Sequence, residues 1–233
     1  SEYVKRMTAG ISGGVMLDRA IAKVGRNPAG GAYVEDRYGK RDLYDHVVLA
    51  CHGDQALGLQ ENPDARVKEL LSAFKYERNL AILHSDQSLM PKNAKVWSSW
   101  NYLAEEQDGE QKVCVTYWMN RLQHLDDSTP LFVTLNPPRH PQTGSVIRSF
   151  LYDHPLFDAG AMAAQKDLWS IQGVDNLWYC GSYFGYGFHE DGLQSGLAVA
   201  EALGNVRRPW TVENESGRIH VRSSAKSQSS EAA

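Results

Sequence analysis

The stretch LWYCGSYFGYGFHEDGLQSGLAVAEAL, residues 177–203, decides the fold, because a short apolar strand runs through a glycine-rich turn into a helix of small residues. The run from Leu177 to Cys180 is continuous and apolar, as in a strand that is covered on both faces. Asp191 is placed to cap the following helix, and Gln194 three residues later completes a variant of the capping box. This strand, turn and helix predict a cofactor site.

The predicted helix carries a slim face on which small residues recur at helical spacing: Gly192, Ser195, Gly196, Val199 and Ala202. Such a face lets the backbone approach a sheet or a flat ligand closely. The N-terminus of a helix usually attracts phosphate, but Glu190 and Asp191 place two carboxylates there. We therefore expect a polar, partly charged group such as a ring carbonyl. The alternative is a capped helix that packs through its glycines and binds nothing.

Composition limits the classes of protein to which the chain can belong. Its 233 residues carry a formal charge of −4 and give a pI near 6.1, which argues against a dedicated nucleic-acid binder. The sequence contains neither a run long enough to span a membrane nor a signal-peptide pattern. Cys51, Cys114 and Cys180 are odd in number and lie in apolar runs, so buried, reduced thiols are expected. These features predict a protein of a reducing compartment, the cytoplasm.

The remaining chain reads as short strands, one insertion and a tail. Residues 15–27 and 31–39 are predicted strands, and residues 43–51 end in a buried strand. Asn62 and Pro63 open a predicted helix whose core-facing stripe comprises Val67, Leu70, Leu71 and Phe74. The segments AILHSD, KVWSSWNYL, KVCVTYWM and LFVTL predict an antiparallel sheet, and a helix is expected over residues 159–169. Residues 222–233 have almost no apolar content and predict a disordered tail.

The blocks VVLACHGDQAL, KNAKVWSSWNYL and CGSYFGYGFHEDGLQSGLAVA resemble the flavin-containing amine oxidase and phytoene desaturase superfamily, and within it the bacterial amine-oxidase-like proteins predicted to bind NAD or FAD. The resemblance covers about residues 10–205 and implies an α/β fold, α+β overall. It implies a partial two-dinucleotide-binding-type FAD domain with an inserted antiparallel-sheet substrate domain. The implied parts are residues 1–56 in the FAD domain, 57–173 in the insertion, 174–206 as the closing strand and helix, and 207–233 as the tail.

The resemblance also implies where FAD would lie. Gly181 and Ser182 would approach the ribityl and pyrophosphate region, while Gly192 and Leu193 would present N–H groups to the flavin carbonyl and N1. Such donors stabilise negative charge that develops on the ring.

Three further residues follow from the same matching. Ile21 would offer backbone groups to adenine, Ala50 would pass near the adenosine half, and Phe188 falls where amine oxidases place an aromatic residue facing the flavin. The implied activity is hydride transfer from a largely apolar substrate, a lipid or an amine, to flavin N5.

The sequence departs from the family pattern at three points. No strand is followed by G-x-G-x-x-G: Gly185 and Gly187 come nearest, but Glu190 occupies the third glycine position. Because the family carries that motif at its N-terminus, the resemblance implies that the chain corresponds to the C-terminal two-thirds of such a protein. Ser182 stands where an acidic residue is common, and Asp191 where glycine is usual.

Other residue groups leave further hypotheses open. Cys51 and His52 suggest a cysteine hydrolase, but consecutive strand residues point to opposite faces. His84 with Asp86, and His52 with Asp54, have short spacings that could serve a metal, although hydrogen-bonded histidines are the commoner outcome. His189 could steer protons near the flavin or simply pack. Five aromatic residues are expected to belong to the hydrophobic core of the insertion, with the lining of a substrate pocket as the alternative: Trp97, Trp100, Tyr102, Tyr117 and Trp118. A non-catalytic interaction scaffold is the main alternative function.

Overall fold

The computed structural model describes residues 2–107 and 110–221, so the predicted disordered tail at 222–233 lies outside the described residues. The helices and strands follow in chain order: α1 Glu2–Ala9, β1 Ile21–Arg26, β2 Ala32–Asp36, β3 Arg41–Tyr44, β4 Val47–Leu49, α2 Gly53–Gly58, α3 Ala65–Ser72, β5 Lys75–His84, β6 Trp100–Gln107, β7 Glu110–Trp118, α4 Met119–Gln123, β8 Phe132–Leu135, β9 Val146–Leu156, α5 Ala159–Gln165, β10 Leu177–Tyr179 and α6 His189–Gly204. This mixed arrangement confirms the α/β fold class.

The chain divides into two compact units, residues 1–75 with 155–233 and residues 76–154. The second unit is narrower than the insertion predicted over residues 57–173. The difference arises because α3 packs its apolar stripe against α5 and the short 3-10 turn Leu168–Ile171, which holds α3 in the first unit. Val67, Leu70 and Leu71 are buried as predicted, but Asp64 caps the helix: its carboxylate accepts the Arg66 N–H at 2.8 Å.

In the first unit, β1, β2 and β3 form an antiparallel meander, and β4 pairs with β10 in a two-stranded parallel sheet. The strand predicted over residues 15–27 is shorter, since Leu17 precedes β1 and is 80% exposed. The expectation that β4 and β10 are covered on both faces is also wrong. Val47 and Leu49 are buried, whereas Val48 is 42% exposed and faces its register partner Trp178. One face of the sheet is therefore open in the described part of the chain.

The second unit contains the predicted antiparallel sheet. Its five strands run in the order β6–β7–β8–β5–β9, with antiparallel pairing of β6 to β7, β7 to β8 and β8 to β5. The two-residue alternation of the strands places Asn101, Thr116 and Thr134 on one face, where all are buried. The opposite face carries Trp100, which is 52% exposed, and Tyr102, which is 69% exposed.

The aromatic group predicted as core is therefore split between the two faces of this sheet. Trp97 packs edge-on against Trp118 and Phe132, at ring centroid distances of 5.4 and 5.9 Å. Trp100 and Tyr117 meet on the open face at 5.8 Å. The cause is register: residues one apart on a strand lie on opposite faces, so the group cannot share one environment.

Residues 207–221 are an ordered segment that packs onto α6. The Arg208 guanidinium makes two bonds to the Glu201 carboxylate, Nε to Oε1 at 2.6 Å and Nη2 to Oε2 at 3.0 Å. Arg207 adds a third at 3.1 Å, and Ile219 is buried. The hydrogen bonds and charge of Arg208 lower the pKa of Glu201 to about 2. These contacts tie the segment to the C-terminal half of α6.

We expect Glu201→Gln to lower the free energy of unfolding at neutral pH by about 1–3 kcal/mol, because it removes the partner of a buried guanidinium. Since the folded pKa lies below the ordinary value of 4.5, the stabilisation is complete above that pH and is lost as the pH falls toward 2. Urea titrations between pH 7 and pH 3 should show the difference between variant and parent narrowing below about pH 4.5. Glu213→Gln in the same segment is the control, and a gap independent of pH would contradict the assignment.

Candidate functional site

The candidate site is the junction of β10, the following turn and α6. Ser195, the seventh residue of α6 and fully buried, fixes this junction: its Oγ accepts the Gly181 N–H at 3.0 Å and lies 3.1 Å from the Gly181 carbonyl oxygen. The backbones approach so closely that a Cβ at Gly181 would lie 2.7 Å from the Tyr183 ring and 3.1 Å from the Cys51 carbonyl oxygen. Only glycine fits at position 181. The small residues between positions 181 and 196 therefore allow β10 and α6 to pack closely together.

The turn itself is fixed from outside by a residue that the sequence did not single out. Gln165 at the end of α5 is buried, and its Nε2 donates to the carbonyl of Tyr183 at 3.0 Å and to that of Gly185. Gly187 adopts a φ of +89°, a conformation that few other residues reach without strain. The backbone from β10 to α6 is thus held in one conformation, as a binding site requires.

A cavity of about 530 Å³ opens at the start of α6. Five of the residues predicted for the site line it: Ser182, Phe188, His189, Gly192 and Leu193. Tyr3 and Met7 of α1 close another side of it. Its volume lies within the range usual for small-molecule sites.

Gly192 leaves room for a flat ligand at this cavity. A Cβ built on Gly192 would meet only the Ser182 nitrogen within 4 Å, at 3.8 Å, so the absence of a side chain here is not required by packing. Phe188, which is 56% exposed, offers a ring to the same space. The residues therefore fit a planar group such as a flavin ring, whose edge would meet the first turn of α6.

The helix begins earlier than the sequence predicted. Phe188 is the N-cap, and Asp191 is the third helical residue: its carboxylate reaches back to accept the N–H groups of Phe188 at 2.8 Å and Tyr186 at 3.0 Å. As a result the Gly192 N–H already donates to the Phe188 carbonyl, at 3.3 Å. By helix geometry the N–H groups of His189 and Glu190 have no intrahelical partner, so they are candidate donors to a group in the cavity.

The buried carboxylate of Asp191 is paired, which the sequence analysis did not foresee. Arg218 donates from Nε to Oδ1 at 2.6 Å and from Nη2 to Oδ2 at 3.3 Å. Although burial alone would raise it, the pKa of Asp191 lies below its ordinary value, because Arg218 and two backbone N–H groups stabilise the carboxylate. Asp191 therefore does not contribute an uncompensated negative charge at the start of α6, contrary to the sequence-based expectation. No local pattern marks Arg218, which lies 27 residues further along the chain.

The other predicted site residues lie elsewhere. Ala50 follows β4 and is exposed; continuing the β4–β10 register places it opposite Cys180, whose N–H donates to the Leu49 carbonyl at 3.1 Å. Ile21, at the start of β1, lines a different cavity of about 320 Å³ with Arg19, Val34 and Val47. The structure therefore brings most of the predicted residues to one place and leaves Ile21 apart.

The hydrolase and metal hypotheses find little support. Burial raises the pKa of the Cys51 thiol, and that of Cys180 to about 11, the opposite of an activated nucleophile. His84 is fully buried: its Nδ1 accepts the Asp86 N–H at 3.1 Å and its Nε2 lies 2.7 Å from the Thr134 hydroxyl. Within residues 2–107 and 110–221 no cluster of three or more His, Cys, Asp or Glu residues could hold a metal.

Cys114 and Cys180 are buried, as predicted, whereas Cys51 is only half-buried. Across the same described ranges, none of the helices combines the length and the apolar character needed to cross a membrane.

No protein-family model and no curated protein matches the sequence. The solved structures that share the fold include an isomerase and a mutase. The CLA-producing fatty acid isomerase from P. acnes is 13% identical, with a TM-score of 0.57, over 86% of this chain and 50% of the isomerase. Reduced UDP-galactopyranose mutase is 12% identical, with a TM-score of 0.51, over 81% of this chain and 48% of the mutase. The chain thus spans about half the length of both proteins, and at this identity the likeness is one of fold.

Proposed function

We propose that the protein is an FAD-dependent oxidoreductase, amine-oxidase-like or desaturase-like, and that the cavity at the start of α6 holds the flavin side of FAD. The observation that carries the proposal is the space beside Gly192, next to Ser182 and the first turn of a helix that is pinned to β10 by Ser195. The fold supports it, since one protein of this fold is known in a reduced state and another acts on a fatty acid.

When bound, FAD would accept a hydride from the substrate. The protein's own part is positional and electrostatic. The N–H groups of His189 and Glu190, with the positive end of the α6 dipole, would stabilise negative charge at the ring edge. Phe188 would pack against the ring, and the Gly181–Ser195 contacts would keep the wall of the cavity rigid.

The substrate is proposed to be largely apolar, a lipid or an amine with a long hydrocarbon part. The support comes from the second unit, whose sheet has an open face that carries aromatic and aliphatic side chains. Trp100, Tyr102 and Val113 are 52%, 69% and 58% exposed there, although they lie in regular strands. An apolar face of this kind usually marks a binding surface.

Anaerobic mixing of the FAD-loaded protein with saturated and unsaturated fatty acids and with alkyl amines tests the proposed reaction. The protein should be made from the complete reading frame that encodes these residues. We expect one of these classes to bleach the visible absorption of the flavin. Compounds with the same head group but a polar chain in place of the hydrocarbon chain should leave the absorption unchanged. A protein that holds FAD but is bleached by none of them would favour the non-catalytic scaffold instead.

A further inference from the structure

The segment at residues 207–221 meets the wall of the candidate FAD cavity at Arg218, which forms an ion pair there. Arg218 lies in this segment and makes two hydrogen bonds, at 2.6 and 3.3 Å, to Asp191, whose side chain has no exposed surface. Its guanidinium also lies 5.3 Å from the Tyr186 ring centroid and 5.6 Å from that of Phe188. Arg218 is thus fixed by a carboxylate and two aromatic rings.

Asp191 lies directly behind the cavity wall. Its carboxylate accepts the Phe188 N–H at 2.8 Å, and Phe188, Glu190 and Gly192 all line the cavity. Because water does not reach this carboxylate, its charge is poorly screened, and an unpaired negative charge would act strongly on a group in the cavity. It would also oppose the positive end of the α6 dipole.

We propose that Arg218 is a positioning residue that sets the electrostatics of the cofactor cavity by neutralising Asp191, so that the first turn of α6 can stabilise negative charge on the bound group. This inference rests on the proposed function, because it takes the bound group to be a flavin. The segment at residues 207–221 then determines how easily the cofactor is reduced, without touching it.

The test compares variants of the complete, FAD-loaded protein by the ratio of reduced to oxidised flavin in equilibrium with a reference dye. Arg218→Gln should shift the ratio toward oxidised flavin by about tenfold or more, since it exposes the cavity to an uncompensated charge. Asp191→Asn should shift it the other way, and Arg218→Lys, which keeps the charge, should stay close to the parent.

The double variant Asp191→Asn with Arg218→Gln should return to within about threefold of the parent ratio, because positions 191 and 218 together again carry no net charge. Arg207→Gln is the matched control in the same segment, since Arg207 pairs with Glu201 and Glu215 and not with the cavity wall.

Three results would overturn the inference. An Arg218→Gln variant with a lower melting temperature but the same ratio of reduced to oxidised flavin as the parent would show that Arg218 only supports the fold. Shifts of the same sign in Arg218→Gln and Asp191→Asn would exclude charge compensation; if Arg218→Gln does not fold, Asp191→Asn and the double variant decide alone. A parent protein without bound FAD would refute the proposed function itself, which distinguishes that failure from a failure of the Arg218 role.

Discussion

Gly192→Leu should leave the fold intact and weaken FAD binding by about tenfold or more, as measured by titration of the apoprotein with FAD. The physical reason is that a Cβ on Gly192 meets only one atom within 4 Å, at 3.8 Å, so the side chain extends into the cavity instead of into the protein. Leucine also favours a helix more than glycine does, by about 0.8 kcal/mol, so the melting temperature should hold or rise.

Gly196→Leu is the matched control for this variant. Gly196 lies one turn further along α6, has open space where a Cβ would be, and does not line the cavity. Loss of FAD binding in Gly192→Leu but not in Gly196→Leu would place the ligand at the first turn of the helix. Equal FAD affinity in Gly192→Leu and the parent would refute the site.

Gly181→Val should destabilise the protein by about 2–4 kcal/mol, the largest stability effect that we expect from a single change. The added side chain would overlap the Tyr183 ring, 2.7 Å from its Cβ position, and press on the Cys51 carbonyl oxygen at 3.1 Å. Relief of that overlap would move β10 away from β4 and break the contacts of Ser195. Chemical denaturation of variant and parent measures the difference.

Gly58→Val serves as the control for Gly181→Val, since Gly58 is exposed at the end of α2 and nothing lies within 4 Å of its Cβ position. Its stability should stay within about 0.5 kcal/mol of the parent. If both variants unfolded at the same denaturant concentration as the parent, the close approach at Gly181 would not matter for stability.

The unit from β10 to α6 could be predicted from the sequence because its signals are local. An apolar run, a cluster of glycines and a series of small residues at helical spacing each report on neighbouring residues. The antiparallel sheet of the second unit was predictable for the same reason. The same patterns singled out Ser182, Phe188, Gly192 and Leu193, which line one cavity in the structure.

What the sequence could not predict depends on contacts between distant residues. Arg218 pairs with Asp191 across 27 positions, and Gln165 holds the turn from another helix, so neither has a local signature. The start of α6 was misplaced because Asp191 fits two capping roles, and only the N–H groups that its carboxylate meets decide between them. The open face of the β4–β10 sheet could not be predicted for the same reason. Whether a strand face is covered depends on other parts of the chain, and the residues of the strand do not indicate it.

The FAD content of the protein tests the central claim most directly. The protein made from the complete reading frame should purify with a flavin absorption spectrum that is bleached by a chemical reductant, and should take up about one FAD per chain after removal and readdition. A colourless protein that shows no uptake of added FAD, although folded by circular dichroism, would contradict the assignment of the α6 cavity as a flavin site.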